Sequence, residues 1–223
     1  TAQTYPDEFL AGVSINPQRR DAIDEVHRCA DAGAVLVKVL ANAQQFDPAN
    51  KAYIPFYRAL AERKLPFLSH VGYEFSLIGK DQSVGEPDRL RLALDEGTTV
   101  IAAHACSYGL ILYEKFLPTL HDLVQRYPHF YADISALTLP NRLRMLLHLR
   151  KYPEVHECLL FGTDYPLPVF QLAAWGRVGL GTLRTLLAVR NRFDRQVDVC
   201  RALRLGFRSI GDLISPVSVQ APH

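Results

Sequence analysis

The chain has 223 residues, 48% hydrophobic and 22% charged, which is enough apolar material for a full-sized core in an ordinary globular protein. Its net charge of +2 is scattered, apart from an arginine-containing run near Arg201 to Arg208, and this argues against a nucleic-acid stripe or a membrane-binding face. No apolar run reaches the roughly 18 residues of a membrane span, and TAQTYPDEF lacks the charged and apolar regions of a secretion signal. Cys29, Cys106, Cys158 and Cys200 show no CxxC spacing and sit mostly in apolar segments, so free buried thiols in a reducing compartment, the cytoplasm, are expected.

Taken in order, the chain alternates strand and helix. Phe9 to Asn16 reads as a strand, and a helix follows from about Arg19 to Ala32, with Ile23, Val26 and Ala30 at helical spacing and Gly33 placed as its C-cap. Ala34 to Ala41 is a second strand, then comes a polar loop, NAQQFDPAN, and a helix ending near Lys64. Leu65 to Val71 is the third strand. The loop from 72 to 86 is long and punctuated by glycine, as functional loops often are. Pro87 opens a helix to about Glu96, capped by Gly97, and Thr99 to Ala105 is strand four. A helix from about Leu110 to Gln125, a strand over His129 to Ser135, a helix from Pro140 to about Lys151 and a strand from Cys158 to Asp164 complete the pattern. The remainder reads as helical, over 169–175, 181–190, 194–204 and 207–214.

Such alternation predicts an α/β fold with a parallel sheet. The strand ends recur about every 24 to 34 residues, as suits a (β/α) barrel whose active-site groups gather at the C-terminal ends of the strands. A doubly wound sheet would show the same alternation, but neither GxGxxG nor GxxxxGK[ST] occurs. The whole chain is expected to be a single domain, since no linker or low-complexity tract divides it.

Three strand ends carry chemistry. LPFLSH closes on His70, TTVIAAH on His104, and CLLFGTD on Asp164. Two imidazoles and a carboxylate are what a hard or borderline metal such as zinc takes, and what a hydrolase needs beside its water. Each has a plainer alternative: Asp164 as a helix N-cap, the histidines as packed core residues. Lys38 interrupts an apolar strand, flanked on its own face by Leu36 and Leu40, and reads either as a site residue or as a buried lysine paired to a carboxylate. Glu74 lies on the long loop, where substrate contact and simple solvation are equally compatible with its position. Ser135 could touch substrate and Asp133 could hold a histidine in one tautomer, although both residue types are also common in turns. His27, His121, His129, His148, His156 and His223 read as surface or packing residues.

The order GVSINP, VKVLAN, FLSHVG, VIAAHACSYG, YADISAL and LLFGTDYP resembles the amidohydrolase-2 family of metal-dependent TIM-barrel hydrolases and decarboxylases, over almost the whole chain. The resemblance implies that His70, His104 and Asp164 end the fifth, sixth and eighth strands of a (β/α)8 barrel and bind one divalent ion, zinc by preference. It also implies that Asp164 shuttles the proton of the attacking water, that His104 binds metal or polarises the substrate, and that Lys38 lies where some relatives carry a metal-bridging carbamate. Members of that family open with a strand bearing an HxH or ExH pair of ligands, and no such strand stands ahead of Phe9, so six of eight strands are visible. A barrel incomplete at its N-terminus is therefore expected: a fragment, a chain completed by a partner, or an open barrel with two unpaired edges. The activity implied is hydrolysis of a C–N or C–O bond in a small, amide- or lactone-type substrate. The alternatives are decarboxylation of an aromatic acid and an inactive scaffold that associates through its edges, as a homo-oligomer for example. Substrate choice is expected to lie in the 72–86 loop and in the segment after Pro166.

Overall fold

The computed structural model describes residues 2, 4, 5, 8–75, 80–111 and 113–214. Six strands, β1 (Ala11–Val13), β2 (Ala34–Val39), β3 (Phe67–Ser69), β4 (Val100–Ala102), β5 (Phe130–Asp133) and β6 (Leu159–Leu160), form one sheet in sequential order. Every pairing is parallel, with Gly12 opposite Leu36, Lys38 opposite Leu68, Leu68 opposite Ile101, Ile101 opposite Tyr131 and Asp133 opposite Leu160. Parallel strands need helical crossovers, and α1 (Ala22–Asp31), α3 (Ile54–Glu62), α4 (Arg91–Asp95), α5 (Leu117–Arg126) and α6 (Leu143–Leu149) supply them. A one-turn helix, α2 (Ala41–Gln44), occupies part of the expected polar loop and is closed by Gln45 in the left-handed region.

Each crossover helix buries one stripe. Ala22, Val26, Cys29 and Ala30 face inward on α1; Phe56, Tyr57, Ala59 and Leu60 do so on α3; Met145, Leu146 and Leu149 do so on α6. Tyr57 and Phe67 meet edge to face with centroids 5.5 Å apart, tying α3 to β3. One contiguous cluster of buried residues extends from Ile15 to Leu205, taking in the two last helices, α7 (Leu180–Ala188) and α8 (Arg192–Ala202).

The sheet is an incomplete barrel. The outer edge of β6 is covered by the segment around Arg208, whose N–H donates to the Leu159 carbonyl (2.8 Å) while its own carbonyl accepts from Phe161 N–H (2.8 Å). Among the described residues β1 pairs only with β2, so its far edge is open.

Several expected boundaries move. The helix read from Leu110 begins at Leu117, because Pro118 is suited to a first turn and because the Glu114 carboxylate bonds Ser107 Oγ (2.9 Å) and Tyr108 N–H, folding 107–114 back on itself. Strand four stops at Ala102, three residues short, and β6 has only two ladder residues, so Phe161 to Asp164 lie outside the sheet. The helix read from Pro140 starts at Leu143. Residues 76–79 of the long loop lie outside the described residues.

Candidate active site

The site sits at the C-terminal ends of β3 to β6. After β4 the chain does not simply turn: His104, Ala105 and Cys106 take φ of +57°, +49° and +60°, three left-handed non-glycine residues in succession. Each such residue costs about 1–2 kcal/mol, so tertiary contacts must hold them. Asp133, at the end of β5, does this. Its Oδ1 accepts from His104 N–H (3.0 Å), Ser135 N–H (2.9 Å) and the Ser135 hydroxyl.

That network also sets the His104 ring. Ser135 Oγ, having given its proton to Asp133, lies 2.8 Å from His104 Nδ1, and the Ser135 carbonyl lies 3.2 Å from the same atom. Both are acceptors, so we assign the proton to Nδ1, leaving the Nε2 lone pair directed into the site. His104 Nε2 is 3.3 Å from His70 Nδ1 and 3.9 Å from Asp164 Oδ2. His70 then donates from Nδ1, and its own Nε2 is a buried lone pair with no hydrogen-bond partner, 3.7 Å from Glu74 Oε2.

Two close approaches need glycine. Gly72, just past His70, has φ +95°, and a Cβ there would lie 2.1 Å from the Ser107 carbonyl oxygen. A Cβ on Gly162 would press on Asp133 Cβ at 3.2 Å, so its absence lets the β6 end approach β5.

The electrostatics keep both rings neutral. Burial, then the charges of Arg142 and Lys38, push His70 down to about 3, and the same causes together with His70 hold His104 well below the usual imidazole range. Asp164, half-exposed at the rim, is pushed up by burial against the opposing pull of Lys38. Lys38 is itself lowered by burial, which the charges of Asp133 and Asp164 partly offset.

His70, His104 and Asp164 therefore do come together, as pairs within 4 Å that share His104. Lys38 and Glu74 join the same charge cluster. Ser135, read as a residue that could touch substrate or shape a turn, is buried with its hydroxyl between Asp133 and His104. Asp133 braces it, as a residue holding a histidine tautomer would. Asp164 caps no helix; its carbonyl accepts from Leu167 N–H (3.0 Å) in a turn. The sequence reading missed Arg142, which is 5% exposed and donates from Nη1 to the Ser107 carbonyl (3.0 Å). No local signal separates it from the other arginines of the chain.

In donor chemistry the set suits a divalent ion: two lone-pair imidazole nitrogens, one of them orphaned, and two carboxylates. In arrangement it is not a ready three-ligand cage. Among the described residues no three His, Cys, Asp or Glu groups are placed to hold a metal, because His70 offers Nδ1 to His104 and turns Nε2 toward Glu74.

Comparison with known proteins sets this site in a lineage. No curated protein matches the chain. Among solved structures, an uncharacterized TIM-barrel protein of Bordetella bronchiseptica superposes with a TM-score of 0.61 at 20% identity, over 92% of this chain and 68% of its own. A 2,6-dihydroxybenzoate decarboxylase from Rhizobium gives 0.51 at 19%, over 92% and 73%. A candidate 2-pyrone-4,6-dicarboxylic acid hydrolase from Pseudomonas putida gives 0.54 at 17%, over 90% and 73%. At these identities the structures speak for the fold, a TIM barrel. The sequence model of the amidohydrolase family matches residues 1–178, a span that contains all six strands and every residue of the site, and the chain therefore belongs to the amidohydrolase-2 family.

Proposed function

We propose that the chain is a metal-dependent hydrolase that cleaves a C–O or C–N bond, of lactone or amide type, in a small carboxylated substrate. The observation that carries this reading is His104: a neutral imidazole whose Nδ1 is backed by Ser135 and Asp133, with its Nε2 lone pair between His70 and Asp164. The residues that would hold a divalent ion, zinc by preference, are His70, His104 and Asp164, once the His70–His104 hydrogen bond gives way, and the ion when bound would supply Lewis-acid activation of water.

The protein's own groups account for the rest. Asp164, raised above the usual carboxylate range by burial, is suited to take a proton and return it to a leaving group. The cationic Arg142 and Lys38 face the same charge cluster and would hold a substrate carboxylate. The strand ends keep water access to the rim, where Asp164 is exposed.

Decarboxylation of an aromatic acid is the second reading, favoured by the likeness to a 2,6-dihydroxybenzoate decarboxylase. Zinc analysis of the purified chain, followed by assay against lactones and hydroxybenzoates, tests both. Lactone opening lost in His104→Ala and Asp164→Asn supports hydrolysis, while carbon dioxide release from a hydroxybenzoate replaces it with the lyase. Absence of bound zinc and of both activities overturns the enzymatic reading in favour of a scaffold.

A further inference from the structure

Between Tyr165 and Arg195 the chain carries five arginines, one aspartate and neither lysine nor glutamate, a net charge of +4 where the whole chain has +2. The scatter of charge along the full sequence argues against a membrane-binding face, but it hides this segment, and the fold gathers it on one surface. In the 3₁₀ turn Gln171–Ala174, Ala173 and Ala174 are buried, while Leu172 and Trp175, three apart and so on one side of such a turn, are 56% and 67% exposed. The helix α7 repeats the arrangement: Leu183 and Leu186 face the core, and Leu180, Arg184 and Leu187 line the outer face, the two leucines 76% and 50% exposed. The turn packs against α7, and both pack against α8, so their outer sides adjoin. Arg184 stands between the two leucines, Arg177 donates to the Trp175 carbonyl (3.0 Å), and Arg190 and Arg192 lie just past the end of α7. All four are exposed, and among the described residues none of them forms an ion pair.

An exposed apolar patch of this kind marks an interaction surface. Charge and shape select what covers it. A second copy of the chain presents the same arginines, so a face-to-face pairing sets four guanidiniums against four, and like charges across an interface repel. Trp175 and Leu180 stand out as knobs, for which a folded partner must supply sockets, whereas lipid flows around them. Arginine beside leucine and tryptophan, with acidic residues nearly left out, is the composition of a segment that lies in an anionic lipid interface.

We propose that the outer surface of residues 171–192 is a docking face for an anionic phospholipid bilayer. Trp175, Leu180 and Leu187 enter the headgroup region, and Arg177, Arg184, Arg190 and Arg192 pair with lipid phosphates, their apolar stems lying along the inserted side chains. The face shares no residue with the strand-end cluster and does not depend on the enzymatic reading.

The full chain carries its own probe, since Trp175 is its single tryptophan. Vesicles of phosphatidylglycerol and phosphatidylcholine in equal parts are expected to shift its emission to the blue and to carry the protein down on sedimentation, less so as salt is raised, whereas phosphatidylcholine alone does neither. An arginine at such a surface is worth about fivefold in affinity, so Arg184→Gln with Arg190→Gln should weaken binding roughly 25-fold. Leu180→Ser with Leu187→Ser should remove most of the shift. Both double variants change exposed residues and are checked by circular dichroism, and if one does not fold the other decides. Emission unchanged by the anionic vesicles overturns the proposal, even where the protein sediments with them. An equal shift on phosphatidylcholine alone overturns it too, as do variants that bind like the parent chain. So does a blue shift that appears without lipid as the mass doubles in analytical ultracentrifugation, which gives the face to a second copy, or one produced by poly-glutamate and not by vesicles, which gives it to an acidic protein.

Discussion

The two histidine pairs are almost the same object in two settings. His70 and His104 have centroids 5.1 Å apart at 71°, and His121 and His148 have centroids 5.2 Å apart at 78°. Centroid distance and tilt alone therefore do not distinguish a pair at the strand ends from a pair on the surface. What differs is the frame. The inner rings hang from strand ends, are nearly sealed from water, and are braced by Asp133 and Ser135. The outer rings sit on two helices with solvent on one side. Burial beside Arg142 and Lys38 takes His70 to about 3, far below where an imidazole in water changes charge. Position on the backbone, and the charges packed around it, set the chemistry of the inner pair.

The comparison can be broken most forcefully at Gly72. Gly72→Ala places a methyl group 2.1 Å from the Ser107 carbonyl at a left-handed φ, and should destabilise the chain by about 3 kcal/mol or more in denaturant unfolding. A loss under about 1 kcal/mol would mean that the β3 end is free to move, and the inner pair with it. Asp133→Ala strips the acceptor from His104 N–H, Ser135 N–H and the Ser135 hydroxyl, with an expected cost of about 3 kcal/mol. In the same variant the nuclear magnetic resonance signals of His121 and His148 should stay put, and their movement would show the pairs to be coupled.

Acid should separate the pairs further. His70 takes up a proton near pH 6.5 when unfolded but only near 3 when folded, so between those values the unfolded chain binds more protons. Stability then falls as pH drops below about 6.5, by about 2 kcal/mol at pH 5 from this residue alone. His70→Gln should flatten that part of the stability–pH curve, and an unchanged slope would mean that the inner ring is not kept neutral by its surroundings. The smallest effect belongs to the outer pair. His148→Gln should cost under about 1 kcal/mol, since the hydrogen bond it loses is partly exposed, and a larger cost would give the outer pair a role in holding α5 to α6.

Much of the inner site was legible because a parallel strand announces its own end. An apolar run that stops at His70, His104 or Asp164 places that residue at the C-terminal rim, and neighbouring strands bring such rims together. Lys38 stood out for the same reason, as one charge in an apolar strand. Arg142 carried no such mark: the PNRLR segment reads as an ordinary helix start, and only the packing of 107–109 against it reveals a buried guanidinium. The left-handed run at 104–106 was equally invisible, since Ala and Cys do not favour that region and the bonds that frame the run, from His104 N–H to Asp133 and from Ser107 N–H to the His104 carbonyl, form only in the fold. His121 and His148 each read as a polar position on an amphipathic helix, and neither segment refers to the other.

The amino-acid order alone determined the alternation of strand and helix, the family, and which three residues stand at the rim, because these follow from local periodicity and short motifs. Tertiary structure alone decided where the imidazole lone pairs point, which cations depress them, and that two helices place a second histidine pair in contact. Those properties depend on distances between groups roughly 30 residues apart, and such distances come into being only when the sheet brings the segments side by side.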